Sequence, residues 1–179
     1  MTMPLQRLPN TFKALLLCLC MAIYTLASPA MANDEPEDEN KQRAWNFTLK
    51  SQHGKNIKLS ELRGNVIALN FWATWCGTCI QQFPFLNAYY QKNRNRGFIM
   101  LSVNIDEDLG KASRLVSKRQ FGYPVLFDPA NQASRLYSVD DLPTLYLIDR
   151  DGYIRYSLDD EKIKQQGITQ QVIEDLLNE

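Results

Sequence analysis

Trp45, Phe47 and Leu49 alternate with polar neighbours, and the alternation resumes at Ile57 and Leu59 after Gln52, His53, Gly54, Lys55 and Asn56. Period-two alternation marks a half-buried strand, and polar residues around a glycine supply turn chemistry, so the pattern predicts a leading β-hairpin. Residues 66–71 (Val, Ile, Ala, Leu, Asn, Phe) form a nearly continuous apolar run, as in a strand buried on both faces of a mostly parallel sheet. From Cys76 onward the spacing changes. Ile80, Phe83, Leu86 and Tyr90 recur three or four apart, along one face of a helix that Gly97 ends. Residues 98–105 read as the next strand, 109–121 as a helix carrying Ala112, Leu115 and Val116, 124–127 as a short strand entering a turn, and 132–137 as a short helix. Residues 144–148 and 153–156 flank Asp151-Gly152, the strongest short hairpin signal. Val172, Ile173, Leu176 and Leu177 stripe a closing helix. With no internal repeat, this order predicts an α/β fold: a central sheet with helices on both faces.

The start of the chain reads differently. Arg7 and Lys13 precede an apolar run over residues 14–26, and Ala30-Met31-Ala32 has the small-x-small pattern of a cleavage site, so residues 1–32 read as a secretory signal peptide cut before Asn33. The run falls short of the ~20 residues that span a bilayer comfortably, although extension through Phe12 and Ala27 makes an uncleaved anchor the alternative. Cys18 and Cys20 each follow Leu, where a lipoprotein signal carries a small residue, so they are expected to leave with the signal. Asp34, Glu35, Glu37, Asp38 and Glu39 dominate residues 33–43, a solvated acidic linker that cannot bury enough surface to order itself. Residues 44–179 are the folded domain. Without the first 32 residues, 18 basic side chains face 20 acidic ones. No run of cations exceeds Lys118-Arg119, so nucleic acid is not an expected partner.

Removal of the signal leaves two cysteines, Cys76 and Cys79, spaced C-x-x-C where a buried strand meets a helix start. Unpaired N–H groups and the positive end of the helix dipole favour an anion there, which lowers a thiol below its free pKa of about 8.5. Cys76 is therefore the candidate nucleophile. Cys79, one turn later and inward, can close a Cys76–Cys79 disulfide and act as the resolving partner, in an exchange that needs no cofactor. Half of a metal site is the competing reading. Zinc needs about four ligands, and the mature chain adds only His53, in a predicted turn. A static staple is the other alternative, but so small a loop adds little through chain entropy.

Phe71-Trp72-Ala73-Thr74-Trp75-Cys76-Gly77-Thr78-Cys79 resembles the active-site signature of the thioredoxin superfamily nearly residue for residue, with Pro84 where that family interrupts the active-site helix. Leu142-Pro143-Thr144 resembles its cis-proline loop. The resemblance covers about residues 44 to 179. It implies a thioredoxin-like α/β fold with a central mixed β-sheet flanked by helices and an N-terminal β-hairpin extension. It also implies a cis Pro143 facing the disulfide, Leu142 holding a substrate chain like an added strand, and Trp75, Gly77 and Thr78 at the substrate rim. The leading hairpin, Leu59-Ser60-Glu61-Leu62-Arg63-Gly64 and the insertion between Ile105 and Phe127 are similar to the extracytoplasmic TlpA, ResA and CcmG type. That likeness implies a periplasmic or other extracytoplasmic location. It further implies reduction of disulfides in exported substrates such as apocytochrome c, and a membrane thiol donor of the DsbD or CcdA kind. Run backwards, the same residues make an oxidant or isomerase, and a copper-binding module is the non-catalytic alternative.

Asn70 stands where thioredoxin has a buried aspartate, and Asn cannot relay a proton. Val103-Asn104-Ile105-Asp106-Glu107 matches a ResA-type pattern with an acidic residue near the site, which makes Glu107 the candidate acid/base for Cys79, provided it is buried. The alternative for Glu107 is an exposed carboxylate at a helix start. Trp72 is expected in the core, Trp75 at the rim, His53 in a solvated turn, and Tyr89 and Tyr90 as core and surface neighbours. A peroxidase of the peroxiredoxin kind needs Pro-x-x-x-Thr-x-x-Cys, which the residues before Cys76 do not supply.

Overall fold

The computed structural model describes residues 41–179, so the proposed signal and all but the last three residues of the proposed linker lie outside the described residues. Eight strands are present among them: β1 (Gln42–Arg43), β2 (Thr48–Ser51), β3 (Asn56–Lys58), β4 (Val66–Trp72), β5 (Phe98–Asn104), β6 (Val125–Phe127), β7 (Thr144–Ile148) and β8 (Tyr153–Leu158). Five α-helices accompany them: α1 (Gly77–Asn93), α2 (Leu109–Arg119), α3 (Gln132–Leu136), α4 (Asp160–Lys164) and α5 (Gln166–Asn178). The strands form one mixed sheet in the order β1-β8-β7-β4-β5-β6-β2-β3. Strands β4, β5 and β6 are parallel, β7 runs antiparallel beside β4, β8 runs antiparallel beside β7, and the β2–β3 hairpin closes the far edge.

All seven residues of β4 are buried, and the alternation of its side chains divides the core in two. Val66, Ala68 and Trp72 pack with Cys76, Cys79, Phe83 and Leu86 around α1, where α5 adds Ile173, Leu176 and Leu177. Ile67, Leu69 and Phe71 face the other side, against Phe47, Leu59, Ala133 and Tyr137. A fully buried Val, Leu, Ile or Phe contributes about 1.5–3 kcal/mol, so this strand has the apolar burial to carry Asn70 inside. Helices do lie on both faces, but unequally. Opposite α1 and α5, among the described residues, lie only α3, the 3-10 turn Leu59–Leu62 and the stretch with Ala44, Phe47 and Leu49.

Two elements depart from the sequence expectation. Gln42 and Arg43, placed in the linker, form β1 opposite Ile154 and Tyr153, and the Arg43 guanidinium lies 4.6 Å from the centre of the Tyr153 ring. Helix α4 has Ile163 as its one buried residue, too few apolar positions to show a period; the Asp159 carboxylate starts it by accepting the Lys162 N–H at 3.0 Å. Gly97 ends the α1 segment at φ +77, and a Cβ there would lie 2.9 Å from the Arg150 guanidinium.

The buried tyrosines carry hydroxyls whose ionisation opposes folding. Burial, with Glu174 adding to it, pushes Tyr89 up to about 12, and burial also raises Tyr123 and Tyr137. A folded-state value above the unfolded one of about 10 means a stabilisation complete below that pH and lost as pH rises through the folded value. Urea unfolding should therefore give constant stability near neutrality and a fall from about pH 10 upward. Tyr137 donates its hydroxyl proton to the Trp45 carbonyl at 2.9 Å, whereas Tyr123 has no partner for its own among the described residues. Tyr137→Phe should cost about 1 kcal/mol near neutrality and Tyr123→Phe nothing or less than nothing, and both should flatten the alkaline fall.

Candidate active site

The site begins where β4 runs out. Trp72 pairs with Asn104 in the parallel register, the Trp72 carbonyl accepts the Ile105 N–H at 3.0 Å, and the Cys76 N–H turns back to the Ala73 carbonyl at 3.1 Å. Cys76 is then the N-cap of α1, in extended conformation, and its Sγ accepts the Cys79 N–H at 3.1 Å. An N-cap acceptor satisfies one of the helix's orphan N–H groups, and here that acceptor is sulfur. Cys76 and Cys79 are joined as a disulfide with Cα atoms 5.3 Å apart. Cys76 is 6% exposed, Cys79 only 1% and Trp75 71%. Thr78 Oγ1 lies 3.4 Å from Cys76 Sγ, and Gly77 is exposed with open space where a Cβ would stand. Pro84 lies inside α1, where it removes a backbone donor.

The peptide bond Leu142-Pro143 is cis. Thr144 pairs with Phe71 at the last rung of the β4–β7 ladder, so Leu142 and Pro143 precede β7 at the end of the sheet where β4 leads on to the cysteines. Pro143 is buried and Leu142 half-buried. Trp72 is fully buried and edge-on to Phe83. His53 is exposed in its turn.

Glu107 does not meet the condition set for it. It is exposed, and the buried acid of the segment is Asp106, 6% accessible. The Asp106 carboxylate accepts the Thr74 N–H at 2.8 Å, the Thr74 hydroxyl at 2.8 Å and the Asn104 side-chain amide at 2.6 Å. The chain turns inward at Asp106 to hold the loop before Cys76, which leaves Glu107 in solvent ahead of Asp108, the N-cap of α2. Sequence reasoning missed this clamp because adjacent carboxylates differ only in direction, and the strand's end decides the direction. It also missed Gln82, buried one turn after Cys79, whose amide donates to Asp160 at 3.1 Å while its oxygen has no partner among the described residues. Asn70, on the same face of β4 as Trp72, donates to Ser102 Oγ at 3.4 Å. Among the described residues no three His, Cys, Asp or Glu side chains are grouped to hold a metal ion.

The family model described as "AhpC/TSA family" matches residues 41–157. The chain belongs to the AhpC/TSA family. Within it, the chain is similar to the thiol-disulfide oxidoreductase ResA of Bacillus cereus, at 34% identity over 85% of this chain and 88% of the relative. Among solved structures it is similar to a protein assigned as the thiol:disulfide interchange protein DsbE of Chlorobium tepidum. That match has 36% identity and a TM-score of 0.66 over 72% of this chain and 95% of the other. A protein assigned as a protein disulfide isomerase of Bacteroides thetaiotaomicron matches with 29% identity and a TM-score of 0.68 over 77% and 89% of the two chains. The fold is thioredoxin-like, and the likeness to ResA and DsbE places the chain with that type of thiol-disulfide oxidoreductase.

Removing the Asp106 carboxylate strands three donors in a buried loop, at about 1.5–3 kcal/mol for each bond to a charged group. Asp106→Ala is expected to lower the unfolding free energy by at least about 3 kcal/mol and Glu107→Ala by under about 0.5 kcal/mol, compared by urea titration of the oxidised protein.

Proposed function

We propose that this chain is an exported thiol-disulfide oxidoreductase that reduces disulfides in extracytoplasmic protein substrates, cysteines of apocytochrome c among them. Cys76 is the nucleophile. Its sulfur stands at the helix start, where the N–H of Cys79 and the dipole of α1 stabilise a thiolate, and that placement is the observation that carries the reading. The thiolate attacks one sulfur of the substrate disulfide, forming a mixed disulfide and releasing the other substrate sulfur as a thiolate that takes up a proton. Cys79 then loses its proton and attacks Cys76 Sγ, which closes the Cys76–Cys79 disulfide and releases the second substrate thiol. The substrate leaves with two more electrons and two more protons than it brought. A membrane thiol carrier of the DsbD or CcdA kind returns the pair to the dithiol.

The remaining roles follow from position. Trp75, Gly77 and Thr78 form the rim that a substrate meets, Leu142 offers its backbone to the substrate chain, and Pro143 keeps the loop ahead of β7 close to the cysteines. Residues 1–32 direct export and are removed, or anchor the protein if retained.

A Cys79→Ser variant expressed in the native host should accumulate a disulfide-linked protein partner through Cys76, and the Cys76→Ser/Cys79→Ser double variant should not. Absence of any adduct on a non-reducing gel sinks exchange as the mechanism. In the reduced protein, the alkylation rate of Cys76 should have its midpoint below the free-thiol value of about 8.5 and that of Cys79 above it, because burial disfavours the second thiolate. Equal midpoints at the free value argue against the proposed division of roles.

A further inference from the structure

Helix α2 carries Lys111, Arg114, Lys118 and Arg119 and no acidic residue. Their spacing of three, four, seven and eight puts them on one face, where with Leu115 and Thr74 they line a shallow depression. Thr74 lies two residues before Cys76 and is the residue that Asp106 clamps. The stripe therefore adjoins the active-site loop. All four cations are exposed.

Elsewhere most helical cations are neutralised within the fold, Arg135 bonding instead to the Ala130 carbonyl. Lys92 and Arg96 pair with Glu174, Lys162 with Asp159 and Lys164 with Asp160. None of the four α2 cations makes a hydrogen bond or ion pair with another described residue. Like charges three and four residues apart cost a few tenths of a kcal/mol per pair, a cost that no contact within the domain offsets. On the loop that precedes the other side of the site, the charge is reversed: Asp140 and Asp141 are exposed immediately before Leu142-Pro143. Near the stripe itself, the carboxylates are Asp106, consumed by the Thr74 clamp, Asp108, consumed in capping Gly110 at 2.9 Å, and exposed Glu107 at the far N-terminal end.

We infer that the α2 stripe docks an acidic polypeptide segment adjoining the disulfide of the protein substrate. The inference rests on the oxidoreductase reading and names the substrate class within it. A complementary charge raises the encounter rate of a flexible partner by tenfold or more at low salt. The Asp140-Asp141 pair repels the same segment from the opposite side, so the two patches together set the direction in which a substrate chain crosses the cysteines. A polypeptide fits better than a lipid surface because the depression opens onto the loop that presents Cys76, where a membrane lying flat would cover the cysteine a substrate must reach.

The test uses three peptides with one internal disulfide and a flank of Asp, Ser or Lys residues. Each is mixed with the reduced protein at about 20 mM and about 500 mM salt, between which the screening length shrinks from about 20 Å to about 4 Å. The Asp-flanked peptide should exchange about tenfold faster than the Ser-flanked one at low salt, and the Lys-flanked one more slowly. The differences should vanish at high salt and in the Lys111→Glu/Arg114→Glu/Lys118→Glu variant. Exchange with uncharged hydroxyethyl disulfide should be the same in both proteins. Equal peptide rates in a protein that still reduces hydroxyethyl disulfide overturn the docking surface alone. An acidic preference that survives charge reversal also overturns it. Failure of the wild-type protein to react even with hydroxyethyl disulfide overturns the oxidoreductase reading beneath it. Sedimentation with phosphatidylglycerol-phosphatidylcholine vesicles by the wild type and not the variant, without peptide discrimination, reassigns the stripe to membrane binding. The salt arm uses the unsubstituted protein, so it reports even if the triple variant folds poorly.

Discussion

The hydrogen-bond ladders on both edges of β4 fix the geometry on which the site depends. β5 holds it on one side from Val66 to Trp72, and β7 holds it on the other from Ile67 to Phe71. With both faces covered, a one-residue slip would exchange the residues of the two cores, including Asn70 for a neighbour on the opposite face. The register is therefore unique, and so is the place where the strand stops. The stop delivers Trp72 into an aromatic cluster with Phe83 and Phe121 and sends the next three residues out over the sheet end. Cys76 then follows as the N-cap of α1.

A second constraint is polar. Asn70, Ser102, Asn104 and Asp106 are all buried, and Ser102 and Asn104 sit opposite Asn70 and Trp72 in the ladder. These groups form a track of amides and hydroxyls from the middle of the sheet to the loop that Asp106 holds. Buried polar groups are costly unless paired, and at the upper end of the track they are paired with Thr74. The cysteines above are surrounded by apolar side chains. The loop is thus held by hydrogen bonds that do not involve the sulfurs, which leaves the sulfurs' own bonds to change as exchange requires.

Much of this was legible in the sequence because it follows from periodicity. The two-faced burial of β4, the helix from the cysteines, the hairpin around Asp151-Gly152 and the contrast between Trp72 and Trp75 each have a local pattern behind them. What escaped was tertiary. Glu107 and Asp106 are neighbours of one chemical type, and only the end of β5 determines which turns inward. Helix α4 and strand β1 hold too few apolar residues to announce themselves, so they become visible only against the elements they pack on. The cations of α2 never exceed two in a row, and it is the helical turn that gathers them.

The sheet's outer edges bear on how such a protein can afford to receive extended chains. Its edge strands are β1 and β3, two and three residues long, and each carries a cation, Arg43 or Lys58. Edges so brief and so charged make poor templates for further strands. Self-stacking between copies is discouraged along both of those edges. For the proposed role, strand pairing with a substrate is thereby left to the site itself and not to a generic exposed edge among the described residues.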